Sequence, residues 1–409
     1  MSVDISEKKI RSLCLTKVDL RRIRSTLIVT HNGRSGAHLF SNLMDNHSEV
    51  LSCPPDSLQW IVEDIHSESL ISCVDSGKLT CEVLVDWIVS HCPLLFNTSS
   101  KKNSAEGTIM RTDLSGFRVE RGMLVNVDEF REIAVRLIRS HMKHYSQELK
   151  SSDIFSLIHW AYAMARGREL STDNPVICWQ RHNFILPESL DSVLKTTINP
   201  ILITTVRRFE DSLDSFFSWL EPHYEQKVEM FRVVFGCFVF NLNKRLTGFP
   251  EWAIRFEDMH LHTEKLMKNI CFKLGISFEP TLLKTTLDGL PCIWSVRGRL
   301  ITGTNNNLKK SGNFKILNDA DIIFLNLLLA RFYRYFDYDF HHGTLAFVKC
   351  DPPSLDLHVL TNYLGAIQST KKSYLANLIF EAMPEDALNL RHLLSRTWNS
   401  TLEPLELII

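Results

Sequence analysis

Two arginines follow apolar runs of the sequence that are typical of buried strands. The first, Arg34, lies in the glycine-containing turn NGRSG at 32–36, between an apolar run at 25–30 and a helical pattern at 36–45. Where a strand turns tightly into a helix, the N–H groups of the first helical turn and the helix dipole favour a bound anion. Arg34 adds a full positive charge to this turn. The pattern therefore predicts a binding site for an anionic group.

Arg207 is the second arginine, and it directly follows the apolar run ILITTV at 201–206. In an open α/β sheet, ligands bind in the crevice at the carboxyl ends of the strands, which is where this side chain is expected. Ser212 and Ser215 follow in a helical stretch, and one of their hydroxyl groups is expected to face the same side as Arg207. The pattern predicts a second anion site.

Each turn also has a purely structural interpretation. Ser35 suits the N-cap of the helix after the first turn, because a serine hydroxyl accepts a hydrogen bond from an N–H group of the first helical turn. At the second turn, the alternative is a salt-bridged surface arginine and a solvated serine. The contacts of each side chain distinguish these interpretations.

Further apolar runs indicate the sheet that would position both turns. They are VICWQ at 176–180, ILITTV at 201–206 and WAIRF at 252–256, and all are continuous rather than alternating. Such runs are typical of parallel strands that are covered on both faces. Helical patterns lie between them, so we expect an α/β fold with a central, doubly wound parallel sheet flanked by helices. Segments 99–120 and 289–315 are polar and glycine-containing, and they are predicted to be loops.

The chain is expected to divide into three parts. Residues 1–24 form a polar N-terminal arm, 25–340 the α/β domain, and 341–409 a helical C-terminal extension. Apolar residues recur at helical spacing in the extension and require a packing partner. That partner is either the main domain or a second subunit, which would make the protein a homo-oligomer.

The composition argues against several classes of protein. The 46 Lys and Arg residues balance the 47 Asp and Glu residues, which disfavours a nucleic-acid binder that depends on a large basic field. The ten cysteines include no CxxC pair, as is typical of reduced thiols in a cytosolic protein. No run reaches about 18 apolar residues, so no membrane span is expected. The N-terminal residues lack the apolar core of a signal peptide, and we expect a cytoplasmic protein.

Four segments, in matching order and spacing, resemble the sulfotransferase family. IVTHNGRSGAHLFSNLMDNHSEV looks like the family's 5′-phosphosulfate loop, and TTVRRFEDSLDS, with Arg207 and Ser215, looks like its 3′-phosphate motif. AIRFEDM with LMKNICFKLGI, and then DIIFLNLLLARFYRYFDYD, resemble two later segments of the family. The resemblance covers about residues 25–340. It implies a P-loop-like sulfotransferase fold and the cofactor 3′-phosphoadenosine 5′-phosphosulfate (PAPS).

The resemblance assigns a different phosphate to each anion site. One site would hold the 5′-phosphosulfate and the other the 3′-phosphate, each through charge-assisted hydrogen bonds. Arg34 would also stabilise charge on the transferring group, which makes it a catalytic candidate. The loop NNNLKKSGNF loosely resembles a further 3′-phosphate segment. The expected cofactor-binding residues are Gly33, Arg34, Ser35, Gly36, Ala37, His38, Arg207, Ser215, Lys309 and Lys310.

The resemblance implies transfer of the sulfuryl group from PAPS to a hydroxyl or amine of a small-molecule, carbohydrate or peptide acceptor, without a metal ion. A hydroxyl acceptor must lose a proton, and Asp56 and His182 are the catalytic candidates for the base. Asp56 lies close to the place of a catalytic glutamate in the branch that modifies protein tyrosine. It also suits a helix N-cap. His182 follows the strand at 176–180, and acceptor contacts are expected within 56–170.

One departure from the family pattern supports a different class of function. Ala37 and His38 stand where the family loop usually carries two threonines. The alternative is therefore a catalytically degenerate, sulfotransferase-like nucleotide-binding or assembly protein. A nucleotide kinase is disfavoured, because the sequence has no GxxxxGK[ST] string. His141 and His144 have a metal-binding spacing but no evident third ligand, so surface or interhelix positions are expected.

Overall fold

The structure is a computed structural model that describes residues 18–31, 35–54, 57–58, 80–96, 100–102, 108–111, 118–120, 125–145, 149–181, 193–220, 249–296, 299–304, 314–339 and 406–408. Its strands are β1 Ser25–His31, β2 Val50–Ser52, β3 Ser100–Lys102, β4 Thr108–Arg111, β5 Arg118–Glu120, β6 Val176–Gln180, β7 Pro200–Val206, β8 Glu251–Arg255, β9 Thr286–Leu287, β10 Leu290–Pro291, β11 Ile293–Val296, β12 Arg299–Thr302 and β13 Glu406–Leu407. Its α-helices are α1 Ala37–Met44, α2 Cys81–His91, α3 Pro93–Phe96, α4 Val127–Tyr145, α5 Ser151–Ala165, α6 Phe209–Leu220, α7 Phe256–Leu261, α8 Thr263–Leu274, α9 Asp319–Leu328 and α10 Ala330–Tyr335, with a 3-10 helix at Pro280–Leu283.

A six-stranded sheet in the order β13-β8-β7-β1-β6-β2 forms the centre of the fold. Every neighbouring pair in it is parallel. β1 lies between β6 and β7, with Thr26 opposite Ile177 on one side and Pro200 on the other. Helices connect the strands, so the predicted α/β fold with a central parallel sheet flanked by helices is confirmed.

Helices cover both faces of this sheet. Leu27 and Val29 of β1 belong to a buried cluster with residues of α1 and α8. Ile28, between them, belongs to a second cluster with residues of α2, α4 and α5. Because successive side chains of a strand point to opposite faces, a strand covered on both sides carries apolar residues on both faces. This explains why the strands of the sequence are continuous apolar runs.

Several helix boundaries agree with the sequence prediction. The sequence predicts an amphipathic helix over 127–150, a second helix over about 153–165 and a helix closed by Gly275, and α4, α5 and α8 agree with these predictions. His141 of α4 is buried, and its Nε2 lies 3.6 Å from an Asp153 carboxylate oxygen of α5. His144 is exposed on the same helix. These positions fit an interhelix and a surface histidine.

The two predicted loops, by contrast, contain strands. β3, β4 and β5 lie within 99–120, β11 and β12 lie within 289–315, and together they form a five-stranded sheet in the order β12-β11-β5-β4-β3. The adjacent pairs are antiparallel. Each strand has three or four residues, which is too short to show an alternating pattern in the sequence. For the same reason the three-residue β2 was not expected.

The last described residues belong to the central sheet. Glu406 and Leu407 form β13 beside β8, and Ile408 is buried in the cluster that includes α8. Residues 341–405 of the predicted helical extension lie outside the described residues, and at 406–407 the chain is a strand rather than a helix. Residues 1–17 of the predicted N-terminal arm lie outside them as well. Among the helices that the structure describes, none is both long and apolar enough to cross a membrane.

A buried carboxyl group joins α6 to α9. Glu210 is 1% exposed, Asn326 of α9 donates a hydrogen bond to its Oε1 at 3.4 Å, and Arg208 Nε lies 3.2 Å from the same atom. Burial raises the pKa of Glu210 to about 7, although the charge of Arg208 opposes the shift. The native state therefore holds a proton on Glu210 at pH values where the unfolded chain has lost it.

We predict that this proton makes the stability of the protein depend on pH. Between the ordinary carboxyl pKa and about 7, the native state binds more protons than the unfolded state, so the unfolding free energy falls as pH rises through that window. Glu210→Gln removes the ionisation, and its stability relative to wild type should increase by about 3 kcal/mol at most from pH 4.5 to pH 8. Urea unfolding at both pH values measures the difference.

Glu264→Gln is the matched control, because Glu264 is exposed in an i,i+4 pair with Lys268. Its stability relative to wild type should change little between the two pH values. If Glu210→Gln behaves in the same way as this control, Glu210 is ionised in the native state and the prediction is wrong.

Candidate functional site

The turn between β1 and α1 contains the first predicted anion site. Gly36 is the N-cap of α1, with φ 99° in the left-handed region, and no side chain in the described part of the chain caps the helix. Ser35 is therefore not the N-cap, and that prediction was wrong. Its buried hydroxyl instead forms a 3.0 Å hydrogen bond with Thr205 Oγ1 of β7. Ser35 thus attaches the turn to the neighbouring strand.

Close packing at position 36 also requires a residue without a side chain. A Cβ atom at this position would lie 2.5 Å from Phe256 Cδ2 and 2.7 Å from Met259 Cε. Both partners belong to α7, which follows β8, so the turn after β1 packs directly on the helix that begins two strands away. The sequence predicted a tight turn here but did not identify what the glycine contacts.

The first turn of α1 carries the two residues that depart from the family pattern. Ala37 is buried, and His38 Nε2 lies 3.4 Å from Gln180 Nε2, at the end of β6. Ser41 Oγ donates to Gln180 Oε1 at 3.2 Å. The N–H groups of a first helical turn have no acceptor within the helix, so backbone donors face the site whatever the side chains are. Gln180, which the sequence reading missed, holds His38 against the sheet.

Arg207 lies where the second anion site was predicted, just beyond the carboxyl end of β7. Its guanidinium carbon lies 4.6 Å from the centroid of the Phe256 ring. Burial lowers the pKa of His260 to about 4, and the positive charge of Arg207 contributes to that shift. The half-buried guanidinium is thus stacked on an aromatic ring at the edge of the sheet, which is an arrangement suited to binding a phosphate.

Arg208, the next residue, has a different environment. Its guanidinium pairs with Glu210 and donates to the carbonyl oxygen of Asp339. These contacts direct Arg208 toward α9 and the segment after α10, and they give it a structural role. The structure therefore separates two adjacent arginines that the sequence alone does not distinguish.

The serines of α6 are only partly arranged as expected. Ser215 is half-buried, two helical turns after Arg207. The Ser212 hydroxyl is buried with no hydrogen-bond partner among the described residues. Asp214, which the sequence reading passed over, accepts hydrogen bonds from the N–H groups of Lys315, Ile316 and Leu317 at 2.8–3.1 Å. This carboxylate fixes the backbone at 315–317, just before α9.

The RFED segment at 255–258 is held by charged and polar contacts. Arg255 donates to both carboxylate oxygens of Asp258, at 2.6 and 2.9 Å. Tyr338 donates to Glu257 Oε2 at 2.9 Å, and burial raises the pKa of both groups. Both contacts fix the first turn of α7, and the Tyr338 contact ties it to the chain after α10. They give the segment a structural role next to Arg207.

Arg181 is a further cation at the same edge that the sequence reading missed. It directly follows β6, is 3% exposed, and donates its backbone N–H to Val29 of β1. The sequence signal for Arg181 was a charged residue directly after the apolar run VICWQ.

Six of the predicted site residues lie outside the described residues: Gly33, Arg34, Asp56, His182, Lys309 and Lys310.

Comparison with solved structures finds a sulfotransferase domain from the curacin biosynthetic pathway. It has a TM-score of 0.34 and 14% sequence identity, and the match covers 71% of this chain and 87% of that domain. No protein-family model matches the chain. No curated protein matches it either.

We predict that Gly36→Ala destabilises the protein through two separate effects. An alanine at φ 99° costs about 1–2 kcal/mol in backbone strain. The collision of its Cβ with Phe256 adds an overpacking cost of about 1–3 kcal/mol. Denaturant unfolding of the variant should show a combined loss of about 2–5 kcal/mol.

Gly303→Ala separates the two effects, because Gly303 also has a positive φ of 72° but a Cβ there would meet none of the described residues within 4 Å. It should show only the backbone cost. Equal destabilisation by the two substitutions would mean that the Gly36–Phe256 contact contributes nothing.

Proposed function

We propose that this protein binds PAPS at the carboxyl edge of the central sheet and transfers its sulfuryl group to a hydroxyl or amine acceptor. The observation that supports the proposal is that the Gly36 turn and Arg207, where the sequence predicts anion binding, follow neighbouring strands. β1 and β7 pair in parallel, with His31 opposite Thr205. The Gly36 turn and Arg207 therefore open at the same edge, on strands about 4.8 Å apart.

The donors at these two sites suit a ligand with two separate phosphates. The first turn of α1 offers backbone N–H groups, and Arg207 offers a guanidinium that can bind an anion through two hydrogen bonds. In the proposal, Gly33 to His38 hold the 5′-phosphosulfate. Arg207 and Ser215 hold the 3′-phosphate, with Lys309 and Lys310 as additional donors.

The residues proposed for catalysis follow neighbouring strands. β2 and β6 pair in parallel, with Ser52 opposite Cys178, so the chain leaves both strands at the same edge. Asp56 follows β2 and His182 follows β6, and either can receive the proton of the acceptor hydroxyl. PAPS, when bound, supplies an activated sulfuryl group. Arg34 would stabilise the negative charge on the leaving phosphate as the acceptor oxygen attacks sulfur.

The second candidate function is a sulfotransferase-like nucleotide-binding protein without catalysis. It is favoured by the first turn of α1, where Ala37 has no hydroxyl and His38 is held by Gln180. Each missing hydrogen bond to a charged phosphate would cost about 1.5–3 kcal/mol. This candidate predicts nucleotide binding without transfer.

We predict that the protein binds 3′-phosphoadenosine 5′-phosphate with micromolar or tighter affinity, and binds adenosine 5′-monophosphate and ATP much more weakly. Arg207→Ala should weaken binding of the first nucleotide about 10- to 100-fold and leave the binding of adenosine 5′-monophosphate nearly unchanged. Isothermal titration calorimetry with the three nucleotides measures these affinities.

Arg208→Ala is the matched control, since this arginine pairs with Glu210 and donates to the backbone carbonyl oxygen of Asp339. It should lower stability without changing the preference for the 3′-phosphate. If wild type binds all three nucleotides equally, the proposed site is wrong; preference for ATP would favour a kinase.

The transfer step has its own prediction. Arg34→Ala should reduce release of 3′-phosphoadenosine 5′-phosphate from PAPS at least about 100-fold, with phenol, sugar and tyrosine-peptide acceptors, because a preorganised cation is lost.

Asp56→Asn should abolish transfer and preserve nucleotide binding if Asp56 is the base. Asp56→Ser keeps a helix cap, so an active Ser variant with an inactive His182→Ala variant would assign the base to His182. Nucleotide binding without turnover for every acceptor would support the second candidate function.

A further inference from the structure

We propose that Phe256 is a positioning residue, which holds the Arg207 guanidinium where it can receive a phosphate. The proposal rests on the function proposed above and extends it. It assigns a role to a side chain that need not contact the ligand.

The register of the sheet places the two residues side by side. β7 and β8 pair in parallel, with Val206 opposite Arg255. Arg207 and Phe256 are the next residues of each chain segment, at the carboxyl edge. The guanidinium carbon lies 4.6 Å from the ring centroid, within the range of a cation–π contact.

The Phe256 ring is itself held in place on two sides. One edge of the ring packs against Gly36, where an added Cβ would come within 2.5 Å of Cδ2. The His260 ring packs edge-on to Phe256, with centroids 4.6 Å apart. The same ring therefore contacts the turn of the first anion site and the arginine of the second.

The backbone that carries Phe256 is also fixed. Arg255 binds Asp258 through two hydrogen bonds and donates from Nη1 to the carbonyl oxygen of Phe336 at 2.9 Å. Tyr338 holds Glu257. These contacts lie on either side of Phe256 in the sequence, so the ring is mounted on an anchored helical turn.

A fixed ring matters because the arginine side chain is long and flexible. An arginine side chain loses rotamer entropy when it is ordered on a ligand. Stacking on Phe256 orders the guanidinium before the phosphate arrives, so less of that cost falls on binding. Glu257 and His260 also lie close enough to Arg207 to interact with its charge. Stacking on Phe256 holds the guanidinium against the ring in their presence.

A double-mutant cycle tests the proposal with the full chain and calorimetry. Phe256→Leu keeps an apolar side chain but removes the aromatic face. It should weaken binding of 3′-phosphoadenosine 5′-phosphate about threefold to thirtyfold, the range of a cation–π contact. Binding of adenosine 5′-monophosphate should change less than about twofold. In the Arg207→Ala background, Phe256→Leu should have almost no further effect on either nucleotide, because Phe256 acts through Arg207.

Two further variants control for general damage. Phe256→Tyr retains the aromatic face and should restore the preference for the 3′-phosphate. Phe278→Leu removes the ring from another cation–π pair, in which Lys268 Nζ lies 5.2 Å from the Phe278 centroid, and should leave nucleotide binding unchanged. If Phe256→Leu does not fold, as judged by circular dichroism, Phe256→Met takes its place, since methionine fills irregular apolar space.

The outcomes separate this proposal from the one on which it rests. Loss of the 3′-phosphate preference in Phe256→Leu, coupled to Arg207 and restored by Phe256→Tyr, supports the positioning role. The positioning role alone is overturned if wild type and Phe256→Leu prefer the 3′-phosphate nucleotide equally. It is also overturned if the affinity losses of Phe256→Leu and Arg207→Ala are additive in the double variant. No preference in wild type overturns both proposals.

Discussion

The pairing of β1 with β7 is the constraint on which the candidate site depends. It is specified by buried polar contacts as well as by apolar packing. Thr205 Oγ1 donates to the Thr30 carbonyl oxygen at 3.1 Å, and Thr30 Oγ1 donates to the Ile203 carbonyl oxygen at 3.3 Å. A slip of one residue would break both hydrogen bonds and exchange the two faces of each strand. The same register brings Thr205 to Ser35, which fixes the turn that follows β1.

The sequence identified the features that depend on local pattern. The strand, turn and helix around Gly36, and the arginine at the end of β7, follow from apolar runs and turn residues that are close together in the chain. Phe256 and Gln180 were missed because their importance comes from contacts with residues more distant in sequence. Gly36 and Phe256 meet only after β7 and β8 have joined the sheet beside β1. No periodicity in a single segment carries that information.

Charged residues in this fold acquire their roles from tertiary partners. Arg207 and Arg208 are adjacent, yet one stacks on an aromatic ring and the other pairs with a buried carboxyl group. Asp45, the C-cap of α1, shows the same principle. Its carboxylate accepts hydrogen bonds from Ser52, Thr286 and the N–H group of Gly289. A carboxylate satisfied by three donors stabilises the fold rather than serving as a base.

The order of the central strands has a consequence for how the chain folds. β1 pairs with β6, and β8 with β13, across roughly 150 positions of sequence in each case. The chain must lose conformational entropy to close these long loops before such distant strands can pair, so the central sheet is expected to assemble slowly. Until β13 arrives, β8 presents an unpaired edge that can join a strand of another molecule. Yield on refolding should therefore depend steeply on protein concentration, even where the native state is stable.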